Sequence, residues 1–470
     1  MQARRSISRR EFLHWSLLAT AAGALAACAP KVQPAAPTQA PGETAAAAEP
    51  TAVPATAAPA MVELRYGEWP EMDGTSEAIA AFEDAHPNVK VVLEPHGDDF
   101  DQKLMAQCVA GTAPDILSLY GMFFFAFADK GQLLDLQPLV EQKMTEEDRN
   151  DFFKWHWPDG FVVPETGFLT AMPWKINNSA LTFNKDAFDE AGVAYPTENW
   201  TYDDYAAALV KLTKRDAEGK VERWGGMMPA WEFDRFQYYL WAFGGHVVDP
   251  KDRTKCLLGE QPAQDALEWL RKRLWDDKTF APNADWQGDK GWGGAFNTGE
   301  CAIYDGCLSE VGYTIMPALD AMPDPFQWGV MHPPKGPAGR GALGSADGWS
   351  IYKNSKHVDE AWDFIYSLTQ DPFIKANVII WQMQIGPRKS QIKLFDELVT
   401  QPWKEKGVDM SVFTSALDMG YVRTAEAFIK QQESQVIIQE ALDKVFVVGS
   451  DPVTVFADAC EKVAEVHAQA

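Results

Sequence analysis

At 470 residues the chain is longer than one ordinary hydrophobic core fills, so its length points to two domains or more. Its composition is that of a folded protein, 46% hydrophobic and 23% charged, with a formal net charge of −25. The first 27 residues hold four Arg and one Glu, which leaves −28 on the remainder. A polyanion of that size disfavours nucleic acid, or an acidic membrane surface, as a partner through a broad electrostatic patch.

The N-terminus reads as an address. Ser8-Arg9-Arg10-Glu11-Phe12-Leu13 resembles the twin-arginine export signature, and an apolar run follows from about Trp15 to Ala27. That run is short for a bilayer, which needs about 20 residues, but suits the hydrophobic region of a signal peptide. Leu25-Ala26-Ala27-Cys28 matches the bacterial lipobox, in which Cys28 is acylated and becomes the new N-terminus. Residues 1–28 are therefore expected to be signal. Residues 29–60, nearly all Ala, Pro, Thr, Gln and Glu, are expected to be a disordered tether, because they bury too little apolar surface to offset their ordering entropy.

Beyond the tether the pattern turns to α/β. Val62 to Gly67 alternates as a first strand ending at Glu68-Trp69, and Thr75 to Phe82 opens a helix with polar caps. Val89 to Glu94 is a second strand, Phe100 to Ala110 a second helix closed by Gly111, and Asp115 to Leu119 a third strand. This alternation implies a parallel sheet. Trp269, Trp362 and Phe364 lie at helical spacing and read as core; Phe123-Phe124-Phe125-Ala126-Phe127 fits either core or a closed-cleft wall. Thr201 is placed to cap a helix over Tyr202 to Tyr205. Cys108, Cys256, Cys301, Cys307 and Cys460 are odd in number and lack metal spacing, so mostly buried thiols are expected and folding is not expected to depend on disulfides.

Phe82-Glu83-x-x-His86-Pro87-Asn88-Val89, Ala110-Gly111-x-Ala113-Pro114-Asp115-Ile116 and Lys130-Gly131-x-Leu133-Leu134-Asp135-Leu136 resemble the extracellular solute-binding family that serves ABC importers of sugars, to which maltose-binding proteins belong. Ala180-Leu181-x-Phe183-Asn184-Lys185-Asp186, Trp200-Thr201-Tyr202-Asp203-Asp204 and Phe296-Asn297-Thr298-Gly299-Glu300 continue the likeness over nearly all of 61–470. It departs at Cys301 and Ile303, where Ala or Lys and Met are common, and at Trp174. The resemblance implies the two-lobed type II periplasmic-binding-protein fold with a hinge. Lobe one would be 61–165 plus 330–395 and lobe two 166–329 plus 396–470, with crossings near Pro164-Glu165 and Trp328-Gly329. It further implies a monomer on the outer face of the bacterial cytoplasmic membrane, held there only by its lipid, that captures a solute and delivers it to ABC permease subunits.

Eighteen Trp suggest a sugar, whose apolar faces stack on aromatics and whose hydroxyls meet carboxylates and amides. Candidate contacts are Glu68 and Trp69 after the first strand, Tyr120 after the third, and Trp174 ahead of the Leu181-x-Phe183-Asn184 strand. Trp231 and Glu232 follow Met227-Met228-Pro229, Asp305 follows the strand Ala302-Ile303-Tyr304, and Trp349 lies behind a Gly-containing loop. Trp349→Ala is expected to weaken binding and spare the fold. Arg388 either forks onto hydroxyls or makes a salt bridge within lobe one. Trp286 and Trp292 could line the cleft mouth.

A glycoside hydrolase drawing on Glu68, Glu232 and Asp305 is the rival of another class, and a polyol phosphate or peptide the rival ligand. No HExxH, GxSxG or phosphate-loop motif occurs, and Gly339-x-Gly341-x-x-Gly344 follows a Pro-rich stretch rather than a strand. No cofactor or metal is expected, and the permease and the sugar are not named by the sequence.

Overall fold

The computed structural model describes residues 60–69, 72–97, 100–227, 233–282 and 293–469. The signal, Cys28, the tether, Trp231, Glu232, Trp286 and Trp292 lie outside them.

The first half of the chain builds a sheet from β1 (Val62–Glu68), β2 (Val89–Pro95) and β3 (Ile116–Tyr120), with α1 (Thr75–Ala85) and α2 (Phe100–Ala110) as crossovers. β1 pairs in parallel with β2 from Val62↔Val89 to Glu68↔Pro95, and with β3 at Tyr66↔Ile116. α1 is capped by Gly74, held at φ 91°, rather than by a polar side chain; the hydroxyl of Thr75 is turned to Glu68 instead. After α3 (Phe123–Asp129), β4 (Met172–Lys175) forms the far edge of the same sheet, whose order is β2-β1-β3-β8-β4. β8 (Asp347–Ile351) runs antiparallel to both neighbours, with Asp347 opposite Tyr120.

A second sheet holds β5 (Ser179–Asn184) between β6 (Ile303–Cys307) and β7 (Trp328–Met331), both antiparallel to it. Around it lie α4 (Lys185–Ala191), α5 (Tyr202–Leu212), α6 (Gln237–Phe243), α7 (Gln261–Arg271), α9 (Gln431–Leu442) and α10 (Pro452–Ala468); α8 (Val358–Leu368) covers the first sheet. The sequence signals for α4 and α5 act as read. Asn184 accepts from the Ala187 N–H at 3.0 Å, and Thr201 with Asp204 forms a reciprocal capping box.

Strand membership moves both expected crossings. β4 lies beyond Pro164-Glu165 yet belongs to the first sheet, so the chain passes between sheets over 176–178. Trp328 and Gly329 are in β7 of the second sheet, and the return runs through Ala342–Leu343 to β8. Ala342–Leu343 pairs in parallel with Val422–Arg423, and Asn178 bridges Gly344, so three connecting segments lie side by side. Phe395, Val399, Met410 and Phe413 bury within the core cluster that contains the first sheet, which also puts residue 396 inside a packed unit rather than at a border.

Two aromatic interiors result. Beneath the first sheet Tyr66, Phe82 and Phe364 meet edge to face, with centroids 5.0–5.5 Å apart. In the second lobe Tyr202, Tyr205, Tyr239 and Trp269 interlock with Phe280. Full burial of each such ring stabilises by about 1.5–3 kcal/mol. The Phe123–Phe127 run divides by helical period: Phe124 and Phe127 are core, while Phe123 and Phe125 face cavities between the sheets.

Three of the five cysteines are the buried thiols expected, and the other two are a correction. Cys108, Cys301 and Cys307 are free and buried, but Cys256 and Cys460 form a disulfide across 204 residues, tying the strand Asp252–Cys256 to α10. No pairing was legible in the spacing, because tertiary folding alone brings those two Cα atoms to 5.2 Å.

Candidate functional site

The parallel strands β1 and β3 end on one edge of the first sheet, at Glu68-Trp69 and Tyr120-Gly121. β8 runs the other way, so its beginning rather than its end reaches that edge: Asp347 stands beside Tyr120. Across from it lies the end of β6, with Cys307, Asp234 and Arg235. Tyr120, Gly121, Asp347, Cys307, Asp234 and Arg235 enclose a cavity of about 120 Å³, closed on one side by Asn177, Ser345 and Thr424. A second cavity of about 290 Å³ shares Tyr120, Gly121, Met122 and Asp234 with it.

Asp347 is the buried carboxylate of the first-sheet edge. Its Oδ2 accepts from the Ser345 hydroxyl at 3.1 Å and lies 3.7 Å from Lys175 Nζ. Burial pushes its pKa up, against the pull of Lys175. Lys175 is in turn held below the ordinary Lys range by burial, donates to Gln382 Oε1 at 2.6 Å, and sits 4.1 Å over the Trp174 ring. The negative charge of Asp347 helps raise the phenol pKa of both Tyr120, pushed up to about 12 chiefly by burial, and Tyr313. The carboxylate therefore stands within electrostatic reach of two aromatic groups. Trp69, 45% exposed, tilts over Tyr120 at 5.7 Å, and Tyr313 meets Trp381 at 6.2 Å.

On the opposite side Arg235 is bound in place. Its Nη2 lies 2.8 Å from Glu310 Oε1 and its Nη1 donates to Cys307 Sγ at 2.8 Å. Glu310 Oε2 accepts from the Tyr304 hydroxyl and the Cys307 N–H, both at 2.7 Å. Gly306 makes this fold-back possible, since a Cβ there would fall 2.3 Å from Glu310 Oε2 and 2.2 Å from the Tyr304 ring. Asn177 is fixed likewise: its Oδ1 accepts from Ser309 N–H at 2.9 Å. Arg235, which lines the first cavity, and Lys175, beside it at Asp347, thus have carboxylate partners. Among the described residues the Tyr120 hydroxyl and the Asp234 carboxylate have no hydrogen-bond partner in the protein, and they approach the same space from opposite sides.

Of the residues named from sequence, the structure places Tyr120 in the cavity lining with Trp69 against its ring, and takes five others into packed interior. Glu68, fully buried, is turned inward, accepting from the Tyr66 hydroxyl at 2.8 Å and the Thr75 hydroxyl at 3.2 Å. Trp349, 0% exposed, donates from Nε1 to Tyr66 Oη at 2.9 Å and packs on Phe373 and Trp174. Trp174 is buried as well and donates to Asn377 Oδ1 at 3.2 Å. Asp305, 1% exposed, accepts from the Tyr239 hydroxyl and lies among Tyr202, Tyr205 and Tyr238, each of whose pKa its charge helps raise. Burial lifts its own pKa to about 7. Arg388 takes its structural role, with Nη1 2.6 Å from Asp148 and its guanidinium 4.4 Å over Phe152.

The misplacements of Trp349 and Asp305 share one cause. β8 begins at Asp347 and β6 extends to Cys307, so each named residue sits two positions inside its strand, one pleat below the edge residue that lines the cavity. Asp347, Asp234, Asn177 and Tyr313 were not singled out from sequence. For Asp347 a signal existed: a polar residue opening an otherwise apolar strand after a small-residue loop.

The fold and cleft define a two-lobed α/β binding protein, and comparison with known proteins agrees. The family model described as bacterial extracellular solute-binding protein matches residues 66–372, and the chain belongs to that family. Among its relatives, a Brucella abortus (strain 2308) chain described as a binding protein is 24% identical over 391 residues, covering 82% of this chain and 88% of the relative. Among solved structures, the ABC substrate-binding protein Lmo0181 from Listeria monocytogenes, in complex with cycloalternan, superposes with a TM-score of 0.71 at 22% identity. That match covers 87% of this chain and 99% of the other. The sugar-binding protein MalE from Xanthomonas citri gives 0.69 at 19%, covering 87% and 98%. Those structures establish the shared fold, and the family makes this a bacterial extracellular solute-binding protein.

Proposed function

We propose that this protein captures a neutral sugar between its lobes and delivers it, by hinge closure, to the membrane subunits of an ABC importer. The observation that carries the reading is a pair of groups unpartnered among the described residues, the Tyr120 hydroxyl and the Asp234 carboxylate, which face one space, with the exposed Trp69 ring set against that of Tyr120. A carboxylate accepts from neighbouring hydroxyls, a phenol both donates and accepts, and an indole covers an apolar sugar face. Arg235, the cation lining the first cavity among the described residues, is paired with Glu310, and nearby Lys175 with Asp347, which disfavours a phosphorylated ligand there.

The protein acts in this reading as a carrier and leaves its ligand intact, as a monomer tethered to the membrane through a lipid on Cys28. A thermal-shift and calorimetry panel of mono- and oligosaccharides against glycerol phosphates and peptides tests the ligand class; a shift with phosphates or peptides and none with sugars would overturn it. Recovery of the bound sugar uncleaved checks the carrier role. Cys28→Ser should free the protein from membranes, and persistent association would refute the anchor.

A further inference from the structure

The second cavity extends the cleft past the point where Tyr120 and Asp234 meet. One wall is Tyr120 with Phe123, whose rings stand edge to face at 5.3 Å. The other is a row of amides on α9, Gln431, Gln435 and Gln439, spaced four residues apart and so on one helical face. Gln431 is itself buried, as are Ser434, Ile438 and Ala441 on the adjoining face, while Gln435 and Gln439 are partly exposed where they line the cavity. From Gln431 to Gln439 the helix rises about 12 Å, more than one pyranose ring spans. The cavity's volume, about 290 Å³, approaches the lower end of the roughly 300–1,000 Å³ usual for a small-ligand cleft.

The row is built, with Gln431 buried at its head. Gln431 donates to Gln435 Oε1 at 3.2 Å and accepts from the Phe428 N–H at 2.8 Å, so the Gln435 carboxamide is oriented with its Nε2 left without a partner among the described residues. An amide row offers donors and acceptors and no net charge, facing an aromatic wall. That combination matches the hydroxyl rim and the apolar face of successive sugar rings.

We propose that the ligand is a neutral oligosaccharide rather than a monosaccharide, with its first unit between Tyr120, Asp234 and Asp347 and the following units lying between Phe123 and the glutamine face of α9. This rests on the sugar reading above and adds length to it. Mass spectrometry of the ligand that co-purifies with the gently isolated protein, followed by titration of wild type with glucose, maltose, maltotriose and maltotetraose and the matching mannose series, tests it.

The expected result is an oligosaccharide mass and affinity that rises at least about tenfold from the monosaccharide to the trisaccharide of the preferred series. Gln435→Ala should cost about fivefold for the trisaccharide and nothing for the monosaccharide. A hexose mass, or equal affinity at every length, overturns the proposal and leaves the sugar reading standing. A non-sugar mass, with neither series bound, brings down both. The wild-type length series decides the matter even if the variant fails to fold.

Discussion

The edge of the first sheet and the interior of the second lobe each hold a buried carboxylate near a strand end, and the two have opposite surroundings. Asp347 sits at the first residue of its strand, with Lys175, Ser345 and a cavity around it. Asp305 sits in mid-strand, enclosed by four tyrosines, and accepts from one of them. One pleat of depth, about 7 Å along a strand, separates a group that can meet a ligand from one that belongs to the core.

The largest effect expected from breaking this contrast is at Trp349, one pleat below Asp347. Trp349→Ala should destabilise the fold by about 3–5 kcal/mol, read as a lowered urea midpoint. This replaces the expectation that the substitution would spare the fold; unchanged stability together with lost binding would return Trp349 to the cleft.

Asp305 gives the next effect, with a definite direction in pH. Its folded-state pKa of about 7 lies above the ordinary 3.8, so the native state holds a proton that the unfolded chain releases earlier. Its stabilising contribution is complete below about pH 3.8 and is lost as pH rises through about 7. Relative to Asp305→Asn, which does not titrate there, wild-type stability should fall by up to about 1.4 kcal/mol per pH unit across that window. Paired urea titrations between those limits measure it, and parallel curves would show that Asp305 is not buried as described.

The second lobe is also closed by the Cys256–Cys460 disulfide. Removing it by Cys256→Ser with Cys460→Ser should lower stability by about 2–4 kcal/mol without changing ligand affinity. A loss of affinity would mean that α10 positions the cleft.

The smallest effects fall at the edge itself. Asp234→Asn and Tyr120→Phe should each weaken ligand binding several-fold to about tenfold, roughly 0.5–1.5 kcal/mol per lost hydrogen bond, with the melting temperature of the unliganded protein little changed. Calorimetry on the co-purifying ligand reads this, and full affinity in both variants would remove the two residues from the site.

Much of this molecule was legible as sequence. The α/β tempo, the cap at Thr201 and the core positions of Trp362 and Phe364 are short-range patterns, fixed by periodicity and local hydrogen bonding. Family membership was legible too, because its motifs mark turns and strand ends spread along the body. The placing of Trp69 and Tyr120 beside each other at one sheet edge was legible because both come at the carboxyl ends of parallel strands.

What the tertiary structure alone settled depends on direction and depth. That β8 runs against its neighbours, and so offers Asp347 rather than Trp349, follows from its pairing with β3 and β4, both far away in sequence. The inward turn of Glu68, the capture of Arg388 by Asp148, the Cys256–Cys460 bond and the glutamine face set opposite Phe123 have the same origin. Residue type specifies which contacts a side chain can make. Which contacts it does make is set by what the remainder of the chain places within a few ångströms.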